Sequence, residues 1–209
     1  LLDEAGLEHW AIEIEGMTRE NLMVLETSTE RQFRFGMPGP VLQKKEWQRC
    51  LDALASMDPA PAYVVASGSL PPGVPDDLYA RVAHLARELD SRLIVDTSGD
   101  AVRAAAEAGV YLLKPNMREL GQLAGHSIQD EEEQISAAQE IVAQGQAEAV
   151  VVSLGAGGAL LVSTEKTLHL RSPTVEIRSK IGAGDSMVAG LVLGLAQGKE
   201  LADATRFGV

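Results

Sequence analysis

The sequence has 209 residues, of which 45% are hydrophobic and 23% are charged, values typical of globular proteins and unlike those of disordered or fibrous chains. Eighteen Lys and Arg residues against 30 Asp and Glu residues give a net charge of −12, so we expect no nucleic acid partner. The single cysteine, Cys50, excludes an internal disulfide, and no apolar run approaches about 18 residues, so we expect a cytoplasmic protein with no membrane span.

The first 40 residues are predicted to form a small antiparallel sheet with its connections. Polar and apolar side chains alternate over residues 11–15, 21–26 and 32–35, as they do in strands that have one face in water. Short turn-like stretches separate these segments. We therefore treat residues 1–40 as a mainly β domain.

Residues 41–209 are predicted to form an α/β core with a doubly wound, mostly parallel sheet. Helical patterns alternate there with short apolar runs that lack polar positions. Such runs are typical of strands covered on both faces, and repeated strand–helix units imply right-handed crossovers. The predicted helices cover residues 43–57, 76–89, 100–108 and 130–144, and the predicted strands cover residues 63–66, 93–95, 110–113 and 149–152.

The second half of the chain contains one predicted hairpin and an interrupted last helix. The apolar run at residues 159–162 follows the preceding strand after a glycine-rich gap that is too short for a helix, which predicts a hairpin at the sheet edge. Residues 206–209 stop inside a helical pattern, and the first residue is Leu1. We therefore expect the sequence to be part of a longer chain that continues at both ends.

Residues 178–190 contain a glycine-rich turn that leads into an apolar helix, predicted to reach about residue 197. Ligands of doubly wound sheets bind beyond the carboxyl ends of the strands, where this turn is expected. Gly182 and Gly184 flank Ala183, and the exposed N–H groups of a helix start favour an anion. Asp185 follows, and a carboxylate beside a bound phosphoryl group can accept the proton of an attacking hydroxyl. Taken alone, Asp185 is equally explained as a helix cap.

Spacing excludes two other nucleotide-binding patterns. In a P-loop, four residues separate the first glycine from the Gly-Lys pair, whereas three residues separate Gly194 from Gly198 and Lys199. The stretches that begin at Gly155 and Gly182 lack the final glycine of a dinucleotide fingerprint. The sequence therefore favours neither a P-loop enzyme nor a nicotinamide enzyme.

Several motifs resemble those of the ribokinase-like carbohydrate kinases, the phosphofructokinase B family. GAGDSMVAG at residues 182–190 resembles the second signature of that family, and the resemblance covers essentially the whole chain in the family's order. Two further motifs resemble nucleotide-side motifs of the family: KPN with Glu119 (residues 114–119) and SLG with Gly158 (153–158). Three others resemble the branch that phosphorylates sugar phosphates: SGSLPPG (67–73), TREN (18–21) and RFGMPGP (34–40).

The resemblance implies a ribokinase-like fold that binds ATP and Mg²⁺. By this resemblance Asp185 is the catalytic base, and Gly182, Ala183 and Gly184 form the anion hole. Asn116 and Glu119 hold Mg²⁺ through water and order the phosphates of ATP. The residues implied for nucleotide binding are Lys114, Asn116, Glu119, Ser153, Gly155 and Gly158.

The assignments of Asn116, Glu119 and Lys114 also have plainer explanations in the residues themselves. Asn116 and Glu119 have the spacing of a capping box at a helix start. Lys114 ends an apolar strand, where it either meets phosphate or extends its ammonium to the surface. Both roles of Asn116 and Glu119 can coexist.

The same resemblance implies that the sugar phosphate binds to residues of the small sheet and of the loop after residue 66. The residues implied are Arg19, Asn21, Arg34 and Ser69, and guanidinium groups match phosphate oxygens well. As isolated residues they are better explained as solvated surface. The small sheet resembles the family's lid, which covers the sugar and often pairs with a second subunit, so we expect a homodimer.

The most specific expectation is an ATP-dependent kinase that converts fructose 6-phosphate to fructose 1,6-bisphosphate. A 1-phosphofructokinase or a tagatose-6-phosphate kinase is the alternative within this class, and a non-catalytic sugar-phosphate sensor is the alternative from another class. Lys180 stands where the family usually has Thr, and it is the residue that favours a sensor. Gly36 replaces a typical branched residue in the lid, which is a milder departure.

Overall fold

The structure is a computed structural model that describes residues 2–175 and 181–209. Lys180 and the start of the glycine-rich turn predicted at residues 178–190 lie outside the described residues. The strands are β1 (Asn21–Glu26), β2 (Arg31–Gly36), β3 (Tyr63–Ser67), β4 (Arg92–Asp96), β5 (Val110–Leu113), β6 (Ala147–Ser153), β7 (Ala159–Ser163) and β8 (Thr167–Leu170). The helices are α1 (Lys44–Ala55), α2 (Leu78–Glu88), α3 (Asp100–Ala108), α4 (Met117–Ala124), α5 (Glu131–Ala143), α6 (Ala183–Ala196) and α7 (Leu201–Gly208).

Contacts group the chain into two compact units. The first unit consists of Leu1–Ser56 with Pro71–Pro75, and the second consists of Met57–Leu70 with Asp76–Val209. Helix α1 therefore groups with the small sheet. The functional division predicted at residue 40 stays a prediction.

The first unit contains a two-stranded antiparallel ribbon, as predicted for residues 21–36. Strands β1 and β2 pair from Asn21 with Gly36 to Glu26 with Arg31. Every residue of both strands is exposed. The alternation of polar and apolar residues predicted one face exposed to water, whereas both faces of the ribbon are accessible within this unit.

The strand predicted at residues 11–15 is wrong. Among the described residues this segment pairs with no strand, and its backbone groups bond to side chains of α1 instead. The N–H of Glu15 donates to Oε1 of Glu46 at 2.6 Å, and Arg49 donates to the carbonyl oxygen of Glu13 at 3.1 Å. Alternating polarity thus arose from an extended segment that lies against a helix.

The second unit is built on a six-stranded sheet in the order β3-β4-β5-β6-β7-β8. Strands β3 to β6 are parallel to one another, whereas β7 and β8 run antiparallel to their neighbours. Helix α2, helix α3 and the pair α4–α5 connect the parallel strands. The predicted mostly parallel α/β class is therefore confirmed.

Two hydrophobic cores cover the two faces of this sheet, because successive strand residues point to opposite sides. Val95, Leu113 and Val150 pack against α2, α3 and α5 on one face. Ile94, Leu112 and Val151 pack against α6 and α7 on the other face. Both neighbouring sets are almost fully buried, so the apolar runs of the sequence are explained by coverage on both sides.

The hairpin predicted after residue 152 is confirmed, but it is not the end of the sheet. Strands β6 and β7 pair antiparallel, and one turn of 3-10 helix (Gly155–Gly157) connects them. Strand β8, which was not predicted, pairs along β7 from Leu170 to Thr167. The helical pattern predicted at the end of the sequence is confirmed as α7. Among the described residues, no helix is long and apolar enough to cross a membrane.

Candidate functional site

The start of α6 is a helix N-terminus opened by glycine. Gly182 is the N-cap residue, with a left-handed φ of 78°, and among the described residues no atom beyond its chain neighbours lies within 4 Å of the position a Cβ would take there. The N–H of Ser186 donates to the carbonyl oxygen of Gly182 at 2.8 Å, which closes the first helical turn. The N–H groups of residues 183–185 precede this bond and have no acceptor within the helix. They make a site that favours an anion.

Asp185 is the third residue of α6, and it is exposed. Gly182, rather than Asp185, occupies the cap position. The carboxylate is therefore available to solvent and ligands beside the N–H groups of the same turn. That is the arrangement required of a base that acts next to a bound phosphoryl group.

Lys114 is buried beside the start of α6. Its side chain is 5% exposed, and its Nζ lies 3.0 Å from Oδ1 of Asp96. A Cβ on Gly184 would lie 3.6 Å from the same Nζ. The interpretation of Lys114 as an extended surface lysine is therefore wrong, because the ammonium lies between the carboxyl end of β4 and the first turn of α6.

Asn116 and Glu119 form the capping box of α4. Oδ1 of Asn116 accepts from the N–H of Glu119 at 3.0 Å, and Oε2 of Glu119 accepts from the N–H of Asn116 at 2.9 Å. The structural explanation of this pair is therefore confirmed. Each hydrogen bond uses one oxygen of a side chain that follows the carboxyl end of β5. Because these oxygens keep further acceptor capacity, the capping box is compatible with a water-mediated contact to a cation.

The loop after β6 lies next to Asn116. Ser153 forms an isolated parallel bridge with Asn116, and its N–H donates to the carbonyl oxygen of Pro115 at 2.9 Å. A cleft of about 530 Å³ is lined by Asn116, Ser153 and Gly155 among others. The predicted nucleotide-side residues of the KPN and SLG motifs are thus brought together at one edge of the sheet.

Gly158 closes this loop and is the position where glycine is indispensable. Its φ is 93° and its ψ is −123°, and a Cβ would lie 2.0 Å from the carbonyl oxygen of Leu170. The carbonyl oxygen of Gly158 accepts from the N–H of Leu154 at 2.9 Å. Gly155 also has a positive φ, of 59°, but no atom lies within 4 Å of its Cβ position.

The carboxyl ends of β3 and β4 are joined by a hydrogen-bond network centred on Gly68. Its carbonyl oxygen accepts from Oγ1 of Thr97 at 2.8 Å and from the hydroxyl of Tyr79 at 2.9 Å. Its N–H donates to the carbonyl oxygen of Asp96 at 2.9 Å. Burial raises the pKa of the Tyr79 phenol, and the charge of Asp96 raises it further. This network fixes the loop that carries the exposed Ser69.

Asp96 and Thr97 were missed by the sequence reasoning. Ligands were expected beyond the carboxyl ends of the strands, but no residue after the strand at 93–95 was assigned a role. The signal was available, because Asp96 ends a buried apolar strand at the same edge of the sheet as Lys114. A charged residue in that position is costly to bury unless it has a partner.

Three of the four predicted sugar-phosphate residues belong to the first unit, and two of them share a face of the ribbon. Met23 pairs with Arg34, and Asn21 pairs with Gly36, so Asn21 and Arg34 lie on one face. Arg19 precedes β1, and a Cβ on Gly39 would lie 3.7 Å from its Cβ. Nothing in the backbone of Gly36 requires glycine, since its Cβ position meets only Oδ1 of Asn21, at 3.8 Å.

The model of the pfkB family of carbohydrate kinases matches residues 1–209, which is the whole chain. The chain belongs to this family. Kinases of the pfkB family use ATP as the phosphoryl donor and a sugar hydroxyl as the acceptor. The glycine turn at α6 and the edge formed by β3 to β6 are therefore parts of a pfkB fold.

Known proteins of the pfkB family resemble the chain along its full length. An ATP-dependent 6-phosphofructokinase isozyme 2 of Mycobacterium tuberculosis (strain H37Rv) is 44% identical over 208 residues, which are 100% of this chain and 61% of that protein. A 1-phosphofructokinase of Bacillus subtilis (strain 168) is 34% identical, over 100% of this chain and 67% of that protein. The chain thus spans about three fifths of the length of its mycobacterial relative.

A solved structure of the family has the same fold. The crystal structure of phosphofructokinase-2 from Escherichia coli in complex with fructose-6-phosphate superposes with a TM-score of 0.93 at 38% identity. The match covers 100% of this chain and 68% of that one. The predicted ribokinase-like architecture with a small β lid is confirmed by this likeness.

Proposed function

We propose that the chain is part of an ATP-dependent kinase that phosphorylates fructose 6-phosphate to fructose 1,6-bisphosphate. The observation that carries the proposal is the buried ammonium of Lys114 beside Gly184, one residue before the exposed carboxylate of Asp185. In this proposal, the ammonium of Lys114, the amides at the start of α6 and the carboxylate of Asp185 act together on one substrate. The 44% identity to a 6-phosphofructokinase supports the choice of reaction.

In the proposed reaction, Asp185 accepts the proton of the sugar hydroxyl, and the oxygen of that hydroxyl attacks the γ-phosphorus of ATP. The new bond joins that oxygen to phosphorus, the bond to the bridging oxygen of ADP breaks, and ADP leaves with the electron pair. The amides of Gly182, Ala183 and Gly184 and the charge of Lys114 stabilise the negative charge on the transferred group. Because this transfer requires little covalent chemistry, positioning accounts for most of the rate.

Mg²⁺ is the cation that we propose for this site, held through water by Asn116 and Glu119. The donor set fits, because carbonyl and carboxylate oxygens suit Mg²⁺, which keeps several of its waters. Among residues 2–175 and 181–209, no group of three or more His, Cys, Asp or Glu residues could hold a metal directly. Contacts through water and phosphate are therefore favoured. When bound, the ion neutralises charge on the phosphates of ATP.

We assign the nucleotide to Lys114, Ser153, Gly155 and Gly158, and the sugar phosphate to Arg19, Asn21, Arg34 and Ser69. The first group is supported by the bridge between Asn116 and Ser153, which joins the two nucleotide motifs. The second group is supported by the register of the ribbon, which places Asn21 and Arg34 on one face. Guanidinium groups suit phosphate because their N–H donors match its oxygens in pairs.

We further propose that the ribbon forms a homodimer through its other face. Leu22 pairs with Phe35, and Val24 pairs with Phe33, so all four side chains lie on the face of the ribbon that does not carry Arg34. They are between 40% and 60% exposed, and an apolar patch of this kind marks an interaction surface. Phe33→Lys is expected to yield monomers in sedimentation velocity. Gln32→Lys, on the other face, is the matched control, and a dimeric Phe33→Lys protein would contradict the proposal.

Fructose 1-phosphate is the second candidate acceptor, because the Bacillus subtilis relative is a 1-phosphofructokinase at 34% identity. Tagatose 6-phosphate stays an alternative from the sequence. The deciding experiment is an acceptor screen with the full-length natural chain, MgATP and each sugar phosphate, measured as ADP formation. The highest kcat/KM identifies the substrate, and we expect fructose 6-phosphate.

Asp185→Asn tests the catalytic assignment in the same screen. Loss of a general base lowers kcat by about 10²- to 10⁴-fold, with the fold retained because Asp185 is exposed. Asp100→Asn is the matched control, since Asp100 is another exposed aspartate in the first turn of a helix. Equal turnover of Asp185→Asn and parent would refute the base. Sugar-phosphate binding without ADP formation would instead identify a sensor.

A further inference from the structure

Asp96 is a partly buried charge at the candidate site that the sequence motifs do not include. Its side chain is 16% exposed, and its Oδ1 lies 3.0 Å from Nζ of Lys114. The carbonyl oxygen of Asp96 accepts from the N–H of Gly68, which ties its backbone to the loop after β3. Asp96 is therefore held by its own strand and by a neighbouring loop.

The register of the sheet brings these two charges together. Strands β4 and β5 pair in parallel, with Val95 opposite Leu113, so Asp96 and Lys114 follow adjacent positions at the same edge. The N–H of Lys114 donates to the carbonyl oxygen of Val95 at 3.0 Å. Both backbones are thus fixed, and the ion pair removes the remaining freedom of the long lysine side chain.

The ion pair with Asp96 directs the ammonium of Lys114 toward the first turn of α6. Gly184 has no side chain, and a Cβ there would approach Nζ to 3.6 Å. An ammonium has three N–H donors, and one directed at Asp96 leaves others for an anion held by the first turn of α6. Without Asp96, the ammonium would be buried with no opposite charge and would move toward solvent.

We propose that Asp96 is a positioning residue for phosphoryl transfer, which holds the ammonium of Lys114 against the start of α6, where it contacts a phosphate of ATP. This inference rests on the proposed kinase function. Asp96 acts only through Lys114 and touches neither substrate nor the transferred group. Ligation of the metal by Asp96 is the competing role, and the experiment separates the two.

A double-mutant cycle in the full-length natural chain tests the proposal. The proteins are the parent, Asp96→Asn, Lys114→Met and the double variant, each assayed with MgATP and the acceptor found in the screen. In the parent background, Asp96→Asn is expected to lower kcat/KM for MgATP by about ten- to a hundredfold, the effect of a misplaced catalytic group. In the Lys114→Met background, the same change is expected to alter kcat/KM by less than about twofold.

Two further readouts separate positioning from a structural effect. The KM for the sugar phosphate is expected to stay within about twofold in Asp96→Asn, because only the nucleotide side is disturbed. Asp203→Asn is the matched control, since it removes one partner of an exposed ion pair with Arg206, and it is expected to keep the parent's kinetics. An equal loss from Asp96→Asn in both backgrounds would overturn the proposal in favour of a direct role. An unchanged kcat/KM in the parent background would overturn it by showing that Asp96 has no role in the reaction.

The outcome stays decisive if one variant does not fold or if no sugar is phosphorylated. The double variant leaves no unpaired buried charge, so it is expected to fold, and its activity should equal that of Lys114→Met. Asp96→Glu, which keeps the charge but displaces the ammonium, replaces Asp96→Asn in the parent background and is expected to lower kcat/KM. Dissociation constants for MgATP, measured by calorimetry, are expected to show the same coupling. Coupling without turnover would contradict the kinase function alone, and independent effects would contradict the role of Asp96.

Discussion

Gly158 offers the sharpest test of the loop between β6 and β7, through the variant Gly158→Ala. The new Cβ would lie 2.0 Å from the carbonyl oxygen of Leu170, about 1.3 Å short of the ~3.3 Å at which carbon and oxygen normally touch. It would also lie 2.7 Å from the backbone nitrogen of Ser172. Both neighbours are backbone atoms, so neither can rotate away.

The expected destabilisation has two parts. A residue with a side chain at φ 93° and ψ −123° is strained by about 1–3 kcal/mol. Displacing the end of β8 to relieve the overlap brings the total to about 3–5 kcal/mol, in the range of severe single substitutions. For a chain of this size we expect a fall in Tm of about 10 °C, since 1 kcal/mol corresponds to about 2–4 °C.

Gly155→Ala is the matched control within the same loop. Gly155 also has a positive φ, of 59°, but its Cβ position is open, so only conformational strain of about 1–2 kcal/mol is expected. Urea unfolding followed by circular dichroism measures both variants. Free energies of unfolding that agree within about 0.5 kcal/mol would refute the steric reasoning, because strain alone would then explain both.

Three further predictions follow from particular side chains. Glu119→Gln keeps an acceptor for the N–H of Asn116, so its Tm should match that of the parent, whereas the Mg²⁺ concentration for half-maximal activity should rise several-fold. Glu119→Ala should show the same rise and should also lose about 1 kcal/mol of stability, because the cap is lost. The N–H groups of Gln43 and Glu15 hold the pKa of Glu46 below the usual value of a glutamate, so its ionised carboxylate stabilises the fold above that usual value, and the stabilisation is lost as the pH falls through the lowered pKa. The difference in Tm between the parent and Glu46→Gln should therefore shrink as the pH falls through the acidic range, and a difference independent of pH would contradict it. Leu161→Ala should destabilise by about 2–5 kcal/mol in urea unfolding because Leu161 is 1% exposed, against under about 0.5 kcal/mol for Leu193→Ala at 50% exposure, and similar losses would refute the core assignment.

The sequence by itself determined those features that local chemistry controls. Helix α3 and strand β5 begin and end at the predicted residues, because amphipathic periodicity, a glycine after the helix and an uninterrupted apolar run all act over a few residues. The glycine turn before α6 was likewise predicted, since an open helix start requires small residues in sequence. The spacing of Asn116 and Glu119 predicted a capping box, and one is present.

Tertiary structure decided what depends on partners distant in the chain. Residues 11–15 have the alternation of a strand, yet they bond to side chains of α1 about 30 residues later. Strand β8 has no strong pattern of its own, and it exists because β7 offers it a hydrogen-bonding edge. The pairing of Asp96 with Lys114 depends on two strands lying side by side. Local periodicity encodes which backbone conformation a segment prefers, whereas the choice of neighbour is made by the packing of the whole sheet.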